Sequence, residues 1–230
     1  MVKRSMVVGV VSLLCMGGSC TITIGPGDGG TARTYLDETT ANIEISQVLG
    51  ASQATVSATI VDDDGRAIEF EDDQSVEVNA VALQGPNAAD MFTATVPAAD
   101  VYVIRVDEPT RGIESTSVDA PGEFAITSPA EGGGASLAGF TLQWSGANAR
   151  LQVRIRLTQT VFGKTEVVNL GPYTDTGSRE LTLDDLDRFV QGADLVVTLT
   201  KINAVNTVGG FQAGTATARL SIEHTLSPRP

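Results

Sequence analysis

The chain has 230 residues, 42% of them apolar, which at about 100–150 residues per domain allows one large or two small cores and excludes disorder throughout. Its formal charge of −13 argues against nucleic acid and anionic surfaces as partners of the body, because phosphates repel a negative protein. Charged residues make up only 19%, with small and hydroxyl side chains filling the polar positions, a composition common in β-rich exported proteins.

The N-terminus reads as an export signal. Lys3 and Arg4 supply the positive end, residues 6–16 an apolar run, and Gly17, Gly18 and Ser19 a small-residue cleavage region. Eleven apolar-leaning residues are too short to span a bilayer. Cys20 follows the small triplet, and residues 16–20 resemble the lipobox of bacterial lipoproteins, in which the cysteine is lipidated and becomes the first mature residue. Gly17 departs from that pattern, standing where such signals carry Leu, so a secreted or periplasmic protein is the alternative. The resemblance implies a membrane anchor at Cys20. Thr21, unlike the Asp that retains some lipoproteins in the inner membrane, points to the outer membrane.

Residues 21–34 are Gly-rich and polar, as a tether holding a folded body off a surface would be. Acyl chains contribute about 0.8 kcal/mol per buried methylene, so two or more make a durable anchor. Cys15 leaves with the signal, so no disulfide is expected within the mature chain.

From residue 35 to 121 the pattern has period two. Residues 41–45 begin a strand. Val56, Ala58 and Ile60 share a face; Asp62, Asp63, Asp64 and Gly65 form a turn, and residues 66–70 return with Ile68 and Phe70 together, predicting a hairpin. Val76 and Val78, Phe92 to Val96, and Tyr102 to Val106 alternate likewise. Six or seven short runs separated by turn signals predict a β-sandwich.

The acidic group Asp62, Asp63, Asp64, Glu69, Glu71, Asp72 and Asp73 offers hard oxygen ligands of the kind Ca²⁺ takes, six to eight at about 2.3–2.6 Å. Three consecutive Asp point in different directions and do not match an EF-hand loop, so solvated turns that keep hairpin ends soluble are the competing reading.

Residues 124–145 close this series, pass through a Gly-rich turn and open a strand carrying Trp144. Phe140, Leu142 and Trp144 share a face. Leu151, Val153, Ile155 and Leu157 face one way while Gln152, Arg154, Arg156 and Thr158 face the other. Residues 166–170, 179–183, 194–201 and 215–223 complete about seven strands, the last with Ala216, Ala218, Leu220 and Ile222 inward. Asp184 is expected to cap a short helical turn over residues 184–191.

The Pro near the start, the Trp on the second strand and the long alternating third strand resemble a fibronectin type III or related immunoglobulin-like domain over residues 124–223. The Tyr usual on the strand after the loop is missing from residues 195–199. The expected organisation is all-β: signal peptide 1–19, lipidated Cys20 and tether 20–34, a first immunoglobulin-like sandwich 35–121, a second 122–225, and a tail 226–230.

Catalytic signals are weak. His224 is the single histidine and is expected exposed near a frayed end, where it suits neither a Ser-His-Asp arrangement nor zinc. The carboxylates sit in turns without an aromatic platform for a glycosidase. Arg150, Arg154 and Arg156 form a basic stripe on an acidic protein, a candidate contact for an envelope or surface protein or a neighbouring copy. The expected function is a non-catalytic envelope module, with Ca²⁺-dependent adhesion through the acidic loops as the alternative.

Overall fold

The computed structural model describes residues 34–229, and Cys20, the signal and most of the tether lie outside them. The described chain is β-rich, with its strands in three sheets. In the first half the strands are β1 (Thr40–Val48), β2 (Gln53–Val61), β3 (Ser75–Val78), β4 (Val81–Ala82), β5 (Phe92–Pro97), β6 (Val101–Glu108) and β7 (Gly112–Asp119). The second half has β8 (Ile126–Ser128), β9 (Gly134–Ser136), β10 (Gly139–Trp144), β11 (Gln152–Val161), β12 (Lys164–Thr174), β13 (Ser178–Thr182), the short helix α1 (Leu183–Leu186), β14 (Leu195–Val205) and β15 (Ala213–Arg229).

The halves repeat one strand order. In the first, β1-β2-β5 are neighbours, and β4-β3-β6-β7 form a separate sheet. In the second, with the short β9 set aside, β8-β10-β13 and β12-β11-β14-β15 repeat that arrangement: first, second and fifth strands together, then fourth, third, sixth and seventh. Each half buries its own apolar core. Ile43, Val56, Ile60, Val76, Phe92 and Ile104 belong to one, and Leu142, Trp144, Ile155, Leu181, Val197 and Leu199 to the other.

One pairing welds the halves. The last strand, β15, runs antiparallel to β14 and parallel to β1, in register from Thr40 opposite Ala213 to Val48 opposite Ser221. Three strands of the first half thus continue four of the second in one sheet. Along β15 the burial changes hands: Ala216 and Ala218 pack in the first core, Leu220 and Leu226 in the second. β15 also reaches beyond residue 225, because β9 pairs with it at Ser227 to Arg229 and satisfies backbone groups that would otherwise be free.

The start of the described chain is clamped. Glu108, 2% exposed, accepts hydrogen bonds from the Leu36 amide at 3.3 Å, Gln74 Nε2 at 2.6 Å and Thr110 Oγ1 at 3.1 Å. Gln74 Nε2 also donates to the Thr34 carbonyl at 2.9 Å, so the chain enters the first core at a fixed point.

Two local expectations need correction. Residues 66–70 return only in part: beyond Ala58, where β5 leaves β2, Ala67 bridges Val61 and the Ile68 amide donates to the Ile60 carbonyl at 3.2 Å, but no strand runs on to Phe70. Phe70 instead stacks on Phe92 at 4.4 Å. The N-cap of α1 is Thr182, not Asp184, because Asp185 three residues on reaches back to the Thr182 amide at 2.9 Å in a capping box.

Candidate partner-binding surface

β11 presents Val153, Ile155 and Leu157 to the second core, which places Arg154 and Arg156 on the opposite, solvent face. Register sets Arg154 beside Thr200 and Arg156 beside Thr198 on β14. Thr200 and Ser221 of β15 share a hydrogen bond at 2.9 Å. Together with Asn169 of β12 and Arg219 of β15 these residues line a shallow recess of about 440 Å³.

Among the described residues neither Arg154 nor Arg156 has an ion-pair partner, whereas Arg219 meets Glu44 of β1 at 2.7 Å. The recess therefore offers two unengaged guanidiniums, an amide and several hydroxyls. Such a set suits carboxylate or other anionic groups on a partner, since guanidinium donors pair with carboxylates in a fixed fork. Arg150 is not part of it: it sits in the turn before β11, where its amide donates to Asn148 Oδ1 at 3.1 Å. Arg219 belongs to the recess although alternation alone does not single it out, because only the β14–β15 register brings it alongside.

The acidic group is not gathered into a cage. Asp62 Oδ1 accepts the amides of Asp64 at 3.0 Å and Arg66 at 2.8 Å, closing the turn after β2. Asp64 pairs with Arg66 at 3.2 Å on an exposed surface. Asp63, Glu69, Glu71, Asp72 and Asp73 are exposed. Among the described residues no three His, Cys, Asp or Glu side chains converge closely enough to hold a metal ion.

His224 departs from expectation. It lies within β15 opposite Val197, is 8% exposed, and holds its Nδ1 3.0 Å from Glu131 Oε2. The frayed end is absent because β15 continues past it.

The buried ion pair beneath β11 is invisible to sequence reading. Lys201 Nζ and Asp175 Oδ2 lie 2.9 Å apart with both side chains fully buried. Trp144 Nε1 donates to Asp175 Oδ1 at 2.6 Å, the Asn148 amide donates to Oδ2 at 3.1 Å, and Lys201 Nζ donates to the carbonyls of Ser145 at 3.2 Å and of Gly146. Full satisfaction makes this pair a structural clasp holding the Trp144 strand and the 145–148 turn to β14.

At the far end of β11 the chain reverses through Phe162 and Gly163, both at positive φ, +49° and +79°. Two such residues between the paired Val161 and Lys164 make a type I′ hairpin turn, which favours Asn or Gly at its first position. A left-handed phenylalanine there costs about 1–2 kcal/mol, yet its ring is fully exposed.

No family model matches the chain, and comparison with curated proteins found no relative.

Proposed function

We propose that the protein is a non-catalytic, lipid-anchored module of the cell envelope, built from two immunoglobulin-like sandwiches and binding an anionic partner protein on its sheet face. The repeated strand order supports the fold reading: two three-stranded and two four-stranded groups, each with the connectivity of a Greek-key sandwich. Positively charged Lys3 and Arg4, the apolar run and Cys20 support export and anchoring. The non-catalytic reading draws support from buried polar groups held in structural pairs, Asp175 with Lys201 and Glu108 with Gln74.

The observation that carries the partner reading is the recess around Arg154 and Arg156 on a chain of charge −13. Complementary charge speeds encounter and selects partners. One sheet spanning both halves makes the module a stiff spacer, since bending between them would break the β1–β15 ladder.

Intact mass and membrane fractionation of protein made in a bacterial host, beside a Cys20→Ala variant, test the anchor. An acylated mature N-terminus at Cys20, with the variant released or unprocessed, is the expected result. An unmodified N-terminus and solubility of both forms would refute it.

A further inference from the structure

The β11–β12 hairpin ends in an apolar tip with no structural task. Phe162 is fully exposed, and Val190, in the loop before β14, is 48% exposed beside it. A recess of about 400 Å³ joins them, lined also by Val161, Lys164, Glu166 and Arg188. Exposed single apolar residues are ordinary, but a bare phenylalanine at this turn position runs against both solvation and backbone preference.

The tip is held rigidly. Gln159, 2% exposed, donates through Nε2 to the carbonyls of Val190 at 2.8 Å and Ala193 at 2.9 Å, and its Oε1 accepts the Val190 amide at 2.8 Å. Three hydrogen bonds from one buried amide therefore pin the loop carrying Val190 and Arg188 against the hairpin carrying Phe162 and Lys164. Two cations flank the apolar pair. Lys164 pairs with Glu166 at 2.5 Å, and its hydrogen bond and charge together with Arg188 hold the Glu166 carboxyl below the usual carboxylate range, so the three charged side chains of the recess sum to one net positive charge.

We propose that the Phe162 hairpin tip is a membrane contact, with Phe162 and Val190 entering the apolar boundary of a lipid bilayer while Lys164 and Arg188 meet anionic headgroups. A convex apolar wedge with cations at its base fits an interface that yields around it, and peripheral binding sums buried apolar area with attraction to anionic lipid. The contact is separate from any anchor at Cys20. Acting together, the two would fix the orientation of the body on the membrane, because a second tethered contact is intramolecular.

The test uses the full chain carrying Cys20→Ala, with a tryptophan probe placed by Phe162→Trp or, as a control, by Ile113→Trp on exposed β7. Each is mixed with vesicles of phosphatidylethanolamine and phosphatidylglycerol or of phosphatidylcholine alone, and fluorescence and quenching by brominated lipid are read over the constant buried Trp144. Expected are a blue shift and quenching at position 162 but not 113, stronger with phosphatidylglycerol and weakened by salt. Phe162→Asn, which suits the turn and preserves the fold, should lower vesicle affinity at least about tenfold, the equivalent of exposing one apolar side chain. Lys164→Glu with Arg188→Glu should remove the phosphatidylglycerol preference. No shift at 162, equal shifts at both positions, or a concentration-dependent shift without vesicles would overturn the proposal, the last assigning the tip to a second copy.

Discussion

Replacing Lys201 by methionine tests whether the second core is organised around its buried ion pair. The substitution keeps the length of the side chain and removes its charge. Asp175, fully buried, would then retain two neutral donors, the Trp144 indole and the Asn148 amide, while the carbonyls of Ser145 and Gly146 lose their ammonium. The Phe124 ring, 4.8 Å from Lys201 Nζ, loses a cation–π contact as well. Removing one partner of a buried pair typically costs 3–5 kcal/mol, about a fifth or more of the 5–15 kcal/mol that holds a domain folded. Asp175→Asn keeps the acceptor for Trp144 but strands the lysine, and should cost a similar amount. If the two groups act as one clasp, the double variant Lys201→Met/Asp175→Asn is less unstable than the sum of the singles by at least about 1 kcal/mol. Urea unfolding followed by the fluorescence of Trp144, the single tryptophan, reports this core directly without changing ionic strength. A loss below about 1 kcal/mol for Lys201→Met, at unchanged m-value, would refute the reasoning and mean that the ammonium reaches water.

Two further outcomes follow from the first half and from the join. Burial, with a smaller contribution from the Asp100 charge, raises the Tyr102 phenol above its ordinary value of 10.0. The folded state thus disfavours the phenolate, so this group's contribution is fully present below about pH 10 and is lost as pH climbs through the raised value. Tyr102→Phe should flatten that alkaline loss in a melting-temperature series, while giving up the hydrogen bond to Gln47 at 2.9 Å. Gly210, at φ +85° in the β14–β15 connection, would place a Cβ 2.6 Å from Val106 Cγ1 in the first core. Gly210→Ala should destabilise by about 2–3 kcal/mol in urea, and an effect under about 0.5 kcal/mol would show that the connection does not rest on that core.

Alternation in the sequence determined which side chains face inward, because a strand's period of two turns every second residue to the same face whatever it pairs with. Val56, Ala58, Ile60, Val153, Ile155 and Leu157 are all buried as the pattern indicates. The type of structure, the two strand series and the outward direction of Arg154 and Arg156 were legible for that reason. Capping was partly legible: a helical turn over the second core is present, but it starts from Thr182, two residues before the expected Asp184, because Asp185 reaches back to the Thr182 amide.

Partners were not legible, since alternation carries no address. Nothing local in residues 40–48 or 213–221 announces that they lie side by side, and a contact such as that between Asn42 and Thr215 spans 173 positions. That parallel pairing decided that the two halves share a sheet and that β15 serves both cores, while the antiparallel β14–β15 register decided that Arg219 joins Arg154 and Arg156. Buried polar groups stayed hidden for a related reason: Lys201 and Asp175 read as surface residues until folding removes them together from water, where each is tolerable only because the other is 2.9 Å away.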